Sequence, residues 1–494
     1  MVRRGWVSYG PGAESDGGAP SDAAGDLRLS DFRKLGRRLV RGVVAAARVE
    51  DQVTFASMLR DHLGMDTDDV EVVSESWPSY DLVNVQAGLD AWLAQAGRDH
   101  RLVGVANFRH NEFGLVELLR QRGSRHPMMP APGNVARVPL PSGPDGQVRA
   151  CVQCGLYLVE DGVRRIAFLL RAAAPEMGQD RVMLQCVADA PGLAAEVSRT
   201  IRESALEHNV YRGQVVAFGH DMFGERDAML SFRSRPRVTA ADLILPAETL
   251  AAIDQQVVGV GRHKDRLRAA GQHLKRGVLL YGPPGVGKTH TVRYLVSKLV
   301  GTSVIELSGQ ALGLVEQACS IARSLQPALI VVEDVDLIAE ERGMHPGQHP
   351  LLFTLLEQMD GLAEDADVVF LLTTNRADLL EPALASRPGR VDQAVEIHLP
   401  GDESRRRLFA LYRGDLEVDE SHLDTVVERT EGVTASFVKE LLRRAAVRAA
   451  SDDADDESTP IRVSADQLDA ALAELLDARN AMTRTLLGGV AGDD

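Results

Sequence analysis

The sequence predicts an α/β protein, in which a parallel sheet with helices on both faces is followed by a helical C-terminal lid. An N-terminal α+β region precedes them. Short apolar strands alternate with helical stretches between residues 277 and 401, and only helical patterns follow Gly401. Upstream of residue 245, short apolar runs and helices are mixed without that regular alternation.

The N-terminal half divides into several predicted regions. Residues 1–26, rich in Gly, Ala, Ser and Asp, are predicted to be disordered, and residues 27–125 to form a mixed α/β region. The Pro- and Gly-rich stretch 126–146 is predicted to be a linker or long loop. Residues 147–235 are predicted to form an α+β module. Its basic end, 233–237, favours a solvated linker over a phosphate-contact patch in so acidic a chain.

The C-terminal half is predicted to contain a large subdomain at 245–401, a helical lid at 402–482 and a flexible tail at 483–494. The ligands of a doubly covered parallel sheet bind at the carboxyl ends of its strands. The predicted strands are Gly277–Gly282, Ser303–Leu307, Ala328–Glu333, Val368–Thr374 and Val395–Leu399.

Composition limits the partners and the compartment. The net charge of −16 opposes attraction of the whole protein to nucleic acid or to an anionic membrane. No run of 18 or more apolar residues occurs, and the basic start of the chain does not lead into the apolar segment of a secretory signal. Four cysteines in 494 residues fit a reducing compartment, so a cytoplasmic location is expected.

Cys151 and Cys154 form a C-x-x-C within a predicted strand. Residues three apart on a strand point to opposite faces of the sheet. The pair is therefore interpreted as two ordinary strand cysteines rather than as a redox or zinc site.

A phosphate site is predicted where the first parallel strand ends. Residues 282–289 read G-x-x-x-x-G-K-T, between an apolar strand and a helical stretch, which makes this a P-loop parallel sheet. Backbone N–H groups close around the phosphates, Lys288 reaches the β- and γ-phosphates, and the Thr289 hydroxyl ligates Mg²⁺. The predicted nucleotide contacts are Gly282, Pro283, Pro284, Gly285, Val286, Gly287, Lys288, Thr289 and His290.

A second group of polar residues follows the strand at 328–332. One carboxylate at such a strand end can hold Mg²⁺ through its water shell, and its neighbour can activate the attacking water. Glu333 and Asp334 are the candidates, and Asp336 is a possible substitute for part of either role.

At this point the chain resembles the AAA+ ATPases. The resemblance covers about residues 245–475, and no family is recognised upstream of that range. Five blocks in the family's order are more specific than any one of them. The first two blocks are the Walker A motif at 281–289 and the Walker B motif at 332–336. The other three are Leu355–Gly361, Thr373–Leu384 and Arg387–Asp392.

The resemblance implies roles for matching positions, with ATP as substrate and Mg²⁺ as cofactor. Asn375 resembles the sensor-1 residue, which binds the γ-phosphate and the attacking water. Arg387 and Arg390 resemble the arginine fingers, which reach the nucleotide of a neighbouring subunit. The protein is therefore expected to form a closed ring, most simply a hexamer. The segment Ile253–Gly261 resembles the stretch that cups adenine.

The chain departs from the family pattern in three places. The usual Asp-Glu pair at the strand end is reversed here, as Glu333-Asp334. Glu333 with Thr289 is expected to face the metal and Asp334 to act as the base. The change in side-chain length is expected to slow hydrolysis. The segment after Leu307 lacks the aromatic pore loop of members that thread polypeptides. The lid carries Gly432–Phe437 where many members have a Gly-Ala-Asp-like turn, and no sensor-2 arginine is assigned.

These features predict an ATP-hydrolysing ring that remodels or disassembles a protein client recruited by its N-terminal half. An alternative from another class is a slow ATP-gated assembly or scaffold protein with little mechanical activity. A third is a loader or motor that acts on nucleic acid, which the net charge of −16 disfavours. No H-E-x-x-H occurs, so a zinc protease is not expected.

Overall fold

The computed structural model describes eight segments of the chain. The predicted disorder at 1–26, residues 27–53 of the predicted mixed α/β region and the predicted tail at 483–494 lie outside them. The described residues are 54–66, 70–109, 112–121, 129–219, 229–336, 350–378, 391–452 and 461–477.

An antiparallel sheet forms the centre of the N-terminal half. Its strands are β1 (Val73–Pro78), β2 (Arg98–Ala106), β3 (Ala131–Gly133), β4 (Ala136–Pro141), β5 (Val148–Asp161), β6 (Arg164–Arg171) and β7 (Arg181–Ala188). Their order is β1-β7-β6-β5-β2-β3, and β4 pairs with β5. The sheet joins strands from both of the N-terminal ranges that the sequence separates, 27–125 and 147–235.

The predicted linker at 126–146 is wrong between residues 131 and 141, because β3 and β4 belong to this sheet. Prolines at 132, 139 and 141 obscured the strand pattern. Proline cannot donate to a ladder, and it is tolerated where a strand has one free edge. β3 ends the strand order, and β4 pairs with β5 alone.

Helices cover both faces of the N-terminal sheet. They are α1 (Phe55–Leu63), α2 (Leu82–Leu93), α3 (Leu115–Leu119) and α4 (Leu193–Glu207). α2 and α4 pack on one face together with Cys151. α1 and α3 pack on the other together with Cys154, as the strand spacing predicted. Burial raises the pKa of the Cys151 thiol to about 11 and that of Cys154 to about 12.

A second sheet forms the large subdomain, and its five predicted strands are parallel neighbours, although the last, predicted at Val395–Leu399, lies at Gln393–Glu396. The strands in chain order are β8 (Val215–Gly219), β9 (Met229–Arg233), β10 (Arg276–Tyr281), β11 (Ser303–Leu307), β12 (Ala328–Val332), β13 (Val368–Thr374) and β14 (Gln393–Glu396). Their spatial order is β14-β10-β13-β12-β11-β8-β9. β8 pairs in parallel with β11, and β9 pairs antiparallel with β8.

The second sheet is thus extended by a hairpin that the sequence assigns to the preceding α+β module. This hairpin, β8 with β9, adds to the edge of β11. Tyr80 of the N-terminal half meets it, because its ring lies edge-on to Phe218 with centroids 6.2 Å apart. The Tyr211 hydroxyl, just before β8, donates to the Tyr80 carbonyl at 2.7 Å. The two halves of the chain therefore share a continuous apolar core.

Arg235 fastens this hairpin to the second sheet. Its guanidinium donates to the carbonyls of Val296, Leu299, Gly213 and Thr302 at 2.6–3.0 Å. Burial lowers the pKa of Arg235. Both sequence interpretations of 233–237, solvated linker and phosphate contact, are therefore wrong for Arg235.

Helices flank the second sheet, and a small helical subdomain follows it. The flanking helices are α5 (Ala247–Asp254), α6 (Lys264–Ala269), α7 (Lys288–Lys298), α8 (Val315–Ser324) and α9 (Pro350–Asp360). The lid contains α10 (Asp402–Tyr412), β15 (Glu417–Val418), α11 (Leu423–Arg429), α12 (Ala435–Asp452), β16 (Arg462–Val463) and α13 (Ala465–Leu476). The lid has an apolar core of its own. Across the described segments, every helix is too short or too polar to cross a bilayer.

Arg235→Ala is expected to lower the free energy of unfolding by about 1–3 kcal/mol, because carbonyls at the hairpin joint lose their charged donor. Urea denaturation followed by circular dichroism measures this. The matched control is Arg237→Ala, which removes an exposed arginine two residues away. An equal loss in both variants would contradict the assigned role of Arg235.

Candidate functional site

The P-loop begins directly after β10 and requires glycine at its first position. Gly282 has φ 144°, and a Cβ there would lie 2.3 Å from the carbonyl oxygen of Ile397. Gly285 and Gly287 also have positive φ, at 81° and 109°. The loop therefore takes a conformation that residues with a Cβ adopt only at a cost. It ends where α7 begins at Lys288, which places a helix N-terminus beneath it.

The Lys288 ammonium lies inside the loop. Its Nζ donates to the carbonyls of Gly282 at 2.7 Å and Pro283 at 2.8 Å, and the residue is 6% exposed. Burial lowers its pKa, whereas the carboxylates of Asp334 and Asp336 raise it. A cation held among backbone carbonyls can be transferred to a phosphate, which is a stronger acceptor.

Glu333 follows the last residue of β12 and meets the first turn of α7. Its backbone N–H donates to the Leu307 carbonyl at 3.1 Å, and its side chain lies close enough to Thr289 for that hydroxyl to lower its pKa. Burial and the neighbouring Asp334 raise the pKa of Glu333, and Thr289 and Arg293 oppose this rise. A hydroxyl and a carboxylate in contact are suitable oxygen ligands for Mg²⁺, which keeps most of its waters. The residues therefore fit the ion.

Asp334 adopts an uncommon backbone conformation. Its φ is 52°, in the left-handed region, where Asp and Asn are the most favoured residues after glycine. Its N–H donates to the Thr373 hydroxyl at 3.1 Å, and Asn375 Nδ2 donates to its Oδ1 at 3.3 Å. The exposed Asp334 carboxylate and the Asn375 amide thus lie together beside the P-loop.

The sequence suggested that Asp336 could take over part of the role of Glu333 or Asp334, but its hydrogen bonds give it a positioning role instead. It is 7% exposed, and its Oδ1 accepts from the Thr374 hydroxyl at 2.8 Å and from the Asn375 N–H at 3.2 Å. Its carboxylate therefore orients the end of β13 from which the Asn375 side chain projects.

A row of charged side chains continues from Glu333 toward the hairpin. Glu306 of β11 pairs in register with Val331 of β12, and Glu333 lies two residues further along the same strand direction. Burial and Glu333 raise the pKa of Glu306, whereas Arg233 of β9 and Arg293 of α7 lower it. Arg293 also lowers the pKa of Glu333. The hairpin therefore contributes a cation to the electrostatic surroundings of the site.

The lid contacts the P-loop directly. The Ser436 N–H donates to the Gly285 carbonyl at 3.2 Å, and its hydroxyl lies 3.3 Å from the same oxygen. A Cβ on Gly285 would lie 3.0 Å from both Ser436 Oγ and Thr434 Oγ1. Sequence reasoning noted the departure at 432–437 without identifying this contact, because nothing local in the lid sequence points to Gly285.

The interpretation of Ile253–Gly261 as the adenine-cupping stretch is wrong. Ile253 and Val257 are fully buried. The Arg276 guanidinium, at the amino end of β10, donates to the Val257 carbonyl at 3.2 Å. The P-loop follows the opposite end of β10. The carbonyl of Asp242 instead lies beside the site, 2.9 Å from Nε2 of the predicted contact His290.

Two further expectations concern the ring. Arg387 and Arg390 lie outside the described residues. The segment where a pore loop would stand forms a 3₁₀ helix, Gly309–Leu314. Its Ala311 and Leu312 are each 4% exposed and pack in the apolar core, so neither projects from the subdomain.

Comparison with known proteins agrees with this geometry. Residues 278–399 match the model of the family described as "ATPase family associated with various cellular activities (AAA)". The chain is 33% identical over 239 residues to "ATP-dependent zinc metalloprotease FtsH 2" of Sphaerobacter thermophilus, covering 46% of this chain and 36% of that relative. The protein named "ATP-dependent zinc metalloprotease FtsH" of Mycobacterium leprae is 30% identical over 261 residues, or 49% of this chain and 32% of the relative.

A third similar protein is "ATP-dependent zinc metalloprotease FtsH" of Hahella chejuensis, 33% identical over 215 residues, which are 41% of this chain and 35% of the relative. The chain thus spans about a third of the length of these curated relatives.

Asp336→Ala is expected to lower kcat for ATP about 10–100-fold while changing ATP affinity less than about threefold, because it displaces Asn375 and leaves the P-loop intact. Steady-state hydrolysis and equilibrium titration with a fluorescent ATP analogue measure the two quantities. Asp378→Ala is the control, since that residue pairs with Arg376 at the surface. An unchanged kcat in Asp336→Ala would remove this residue from the site.

Glu333→Gln is expected to raise the Tm of the nucleotide-free, EDTA-treated protein near neutral pH. Since the folded pKa of Glu333 lies above its unfolded value, its contribution to stability is complete below the unfolded pKa and is lost as pH rises through the folded pKa. The gain should therefore vanish on acidification. Exposed Glu428→Gln is the control for a general charge effect. A Tm difference independent of pH would contradict the assigned burial of Glu333.

Proposed function

We propose that the protein binds Mg²⁺–ATP and hydrolyses it to ADP and phosphate, through the part of its C-terminal half that matches the AAA family of ATPases. One observation supports this above all. A buried lysine, a hydroxyl–carboxylate pair and a carboxylate–amide pair converge at the carboxyl ends of β10, β12 and β13. These are the groups that phosphoryl transfer to water requires.

Each residue has a distinct part in the proposed mechanism. Lys288 leaves the loop carbonyls and neutralises the β- and γ-phosphates. Thr289 and Glu333 would hold Mg²⁺, which neutralises charge on the phosphate oxygens when bound. Asp334 accepts the proton of the attacking water, and Asn375 orients that water. The Asn375–Asp334 contact at 3.3 Å supports this pairing of base and orienting group.

The proposal includes assembly into a ring, with a hexamer as the simplest form. Arg387 and Arg390 of one subunit would complete the site of its neighbour. A guanidinium supplied in this way is worth about 10³–10⁵ in rate in related phosphoryl transfers. Assembly and turnover should then depend on each other.

The proposed task of the ring is to remodel or disassemble a protein client that the N-terminal half recruits. The hairpin supports mechanical coupling, because it places a strand that leads out of the N-terminal half in the same sheet as the P-loop. Arg233 of that hairpin also acts electrostatically on Glu306 beside the site. Movement of either half is therefore transmitted through hydrogen-bonded strands rather than through a loose linker.

A second candidate is a slow ATP-gated scaffold that does little mechanical work. Ala311 and Leu312, which occupy the place of a pore loop, are buried, so neither of these two side chains can grip a threaded polypeptide. Threading is therefore not part of the main proposal. Stimulation of turnover by a client would favour remodelling, and a low rate in preformed rings that no client changes would favour the scaffold.

Peptide hydrolysis is not proposed, although the similar proteins are named zinc metalloproteases. The 494 residues contain no H-E-x-x-H. Within the described segments, no three His, Cys, Asp or Glu side chains come together as a metal site. A cytoplasmic location is part of the proposal, supported by four buried cysteines with free thiols.

Lys288→Ala is expected to abolish ATP binding, because the ammonium that neutralises the β- and γ-phosphates is removed. Asp334→Asn should bind ATP with nearly unchanged affinity and lose about 10²–10⁴-fold in kcat, since Asn keeps the left-handed backbone but is no base. Calorimetric titration and phosphate release measure the two effects. The matched control is Asp365→Asn at an exposed position. Normal hydrolysis by both site variants would refute the assignment.

The same Asp334→Asn variant serves as a trap for the client. It should be used as the full chain, because the hairpin of β8 and β9 pairs with the second sheet, and Arg235 just after it bonds to that sheet's surroundings. A client that is retained with ATP and released with ADP would support recruitment and remodelling. Identical recovery with either nucleotide would oppose ATP-controlled recruitment.

A further inference from the structure

A pocket of about 600 Å³ lies on the N-terminal sheet, and no P-loop residue lines it. Arg171 of β6 and Met183 and Gln185 of β7 line one wall. The stretch 112–117 lines the facing wall. Arg171 follows Leu169 at strand spacing, so it lies on the sheet face covered by α1 and α3. The shared core with the second sheet lies on the opposite face.

Among the residues that the structure describes, Arg171 is a buried cation without an ion pair. It is 9% exposed, although arginine is among the residues least often buried. Its guanidinium donates one hydrogen bond, to the Phe113 carbonyl, and its centre lies 4.3 Å from the centroid of the Phe113 ring. No carboxylate among the described residues is within ion-pair distance. A guanidinium has five N–H donors, so most of its capacity is unused.

The polar groups around Arg171 are already hydrogen-bonded to other groups. Gln185 Oε1 accepts from the Leu115 N–H at 2.7 Å, and its Nε2 donates to Ser74 Oγ at 3.0 Å. Glu117 Oε2 accepts from the Gly114 N–H at 2.7 Å. The walls are therefore fixed without Arg171. Burial lowers the pKa of Arg171, and Glu112 and Glu117 oppose this only from beyond contact.

A buried, unpaired charge of this kind is costly to a fold, and it is commonly retained where it binds something. A planar fork of donors matches a carboxylate, which it can bind through two parallel hydrogen bonds. The other charged residues of the lining are mostly acidic. Glu112, Glu117 and Asp180 are acidic, and the remaining cation, Arg181, is already bonded to Ser76. A carboxylate that also carries a positive group fits this distribution.

We propose that this pocket binds a small zwitterion, either a free amino acid or the carboxyl-terminal residue of a peptide. Its carboxylate lies on Arg171 and its cation faces the acidic rim of Glu112, Glu117 and Asp180. The volume of about 600 Å³ is within the usual range for small-molecule sites and accommodates one or two residues. The excess of one acid over the two arginines favours a basic ligand.

The test is calorimetric titration of the full-length, nucleotide-free protein with four probes. These are L-lysine, L-lysinamide, the peptide Ala-Ala-Lys and its C-terminal amide. At least one free-carboxylate probe is expected to bind saturably, with its amide at least tenfold weaker. L-lysine alone indicates a free amino acid, and Ala-Ala-Lys alone indicates a peptide terminus. The inference is overturned if neither carboxylate probe binds, or if the amides bind equally well.

Arg171→Met is the matched variant, because it keeps the apolar stem and removes the charge. It should weaken binding of the carboxylate probe at least tenfold while leaving the Tm equal or higher, since an unpaired buried charge is removed. Undiminished binding would overturn the inference. If this variant does not fold, Asp180→Asn at the exposed rim should weaken binding at least threefold, and unchanged binding there would count equally against the proposal. Lys288→Ala should bind the probe normally, which separates this pocket from the ATPase site.

Discussion

The parallel pairing of β12 with β11 and β13 is the constraint on which the candidate site depends. Val332 is in register with Leu307 on one side and with Leu372 on the other. The residues after Val332 therefore emerge beside the residues that end β13, and the hydrogen bonds between them follow from that register. A shift of one residue would turn every side chain on the strand to the opposite face. Asp334, Asn375 and the buried Asp336 would then separate.

Much of this could be predicted from the sequence, because the signals are local. The P-loop, the acidic strand end and the five parallel strands are each encoded in fewer than ten consecutive residues, and their geometry follows from strand–loop–helix connections. Long-range contacts were not predictable in the same way. Arg235 binds carbonyls 22 to 67 residues away, and Ser436 contacts a loop 151 residues upstream. Composition gives no indication of either partner.

The wrong predictions also have physical causes. Proline at 132, 139 and 141 looked like a linker signal, yet edge strands accept proline, so the sheet was larger than the sequence suggested. The stretch 253–261 precedes the P-loop strand along the chain, but it packs at the amino end of that strand and the P-loop follows the carboxyl end. Arg276 holds Val257 at the end remote from the phosphates, whereas Asp242 lies beside His290.

The reversed acidic pair is consistent with the backbone that surrounds it. A residue at φ 52° is favoured when its side chain is short and polar, which is a reason for Asp rather than Glu at 334. Its carboxylate is held by Asn375, whose own N–H is bonded to Asp336, so a shorter side chain does not leave it unplaced. The additional methylene of Glu333 in turn allows contact with Thr289 from the strand end. Each of the two positions thus carries the side-chain length that its surroundings require.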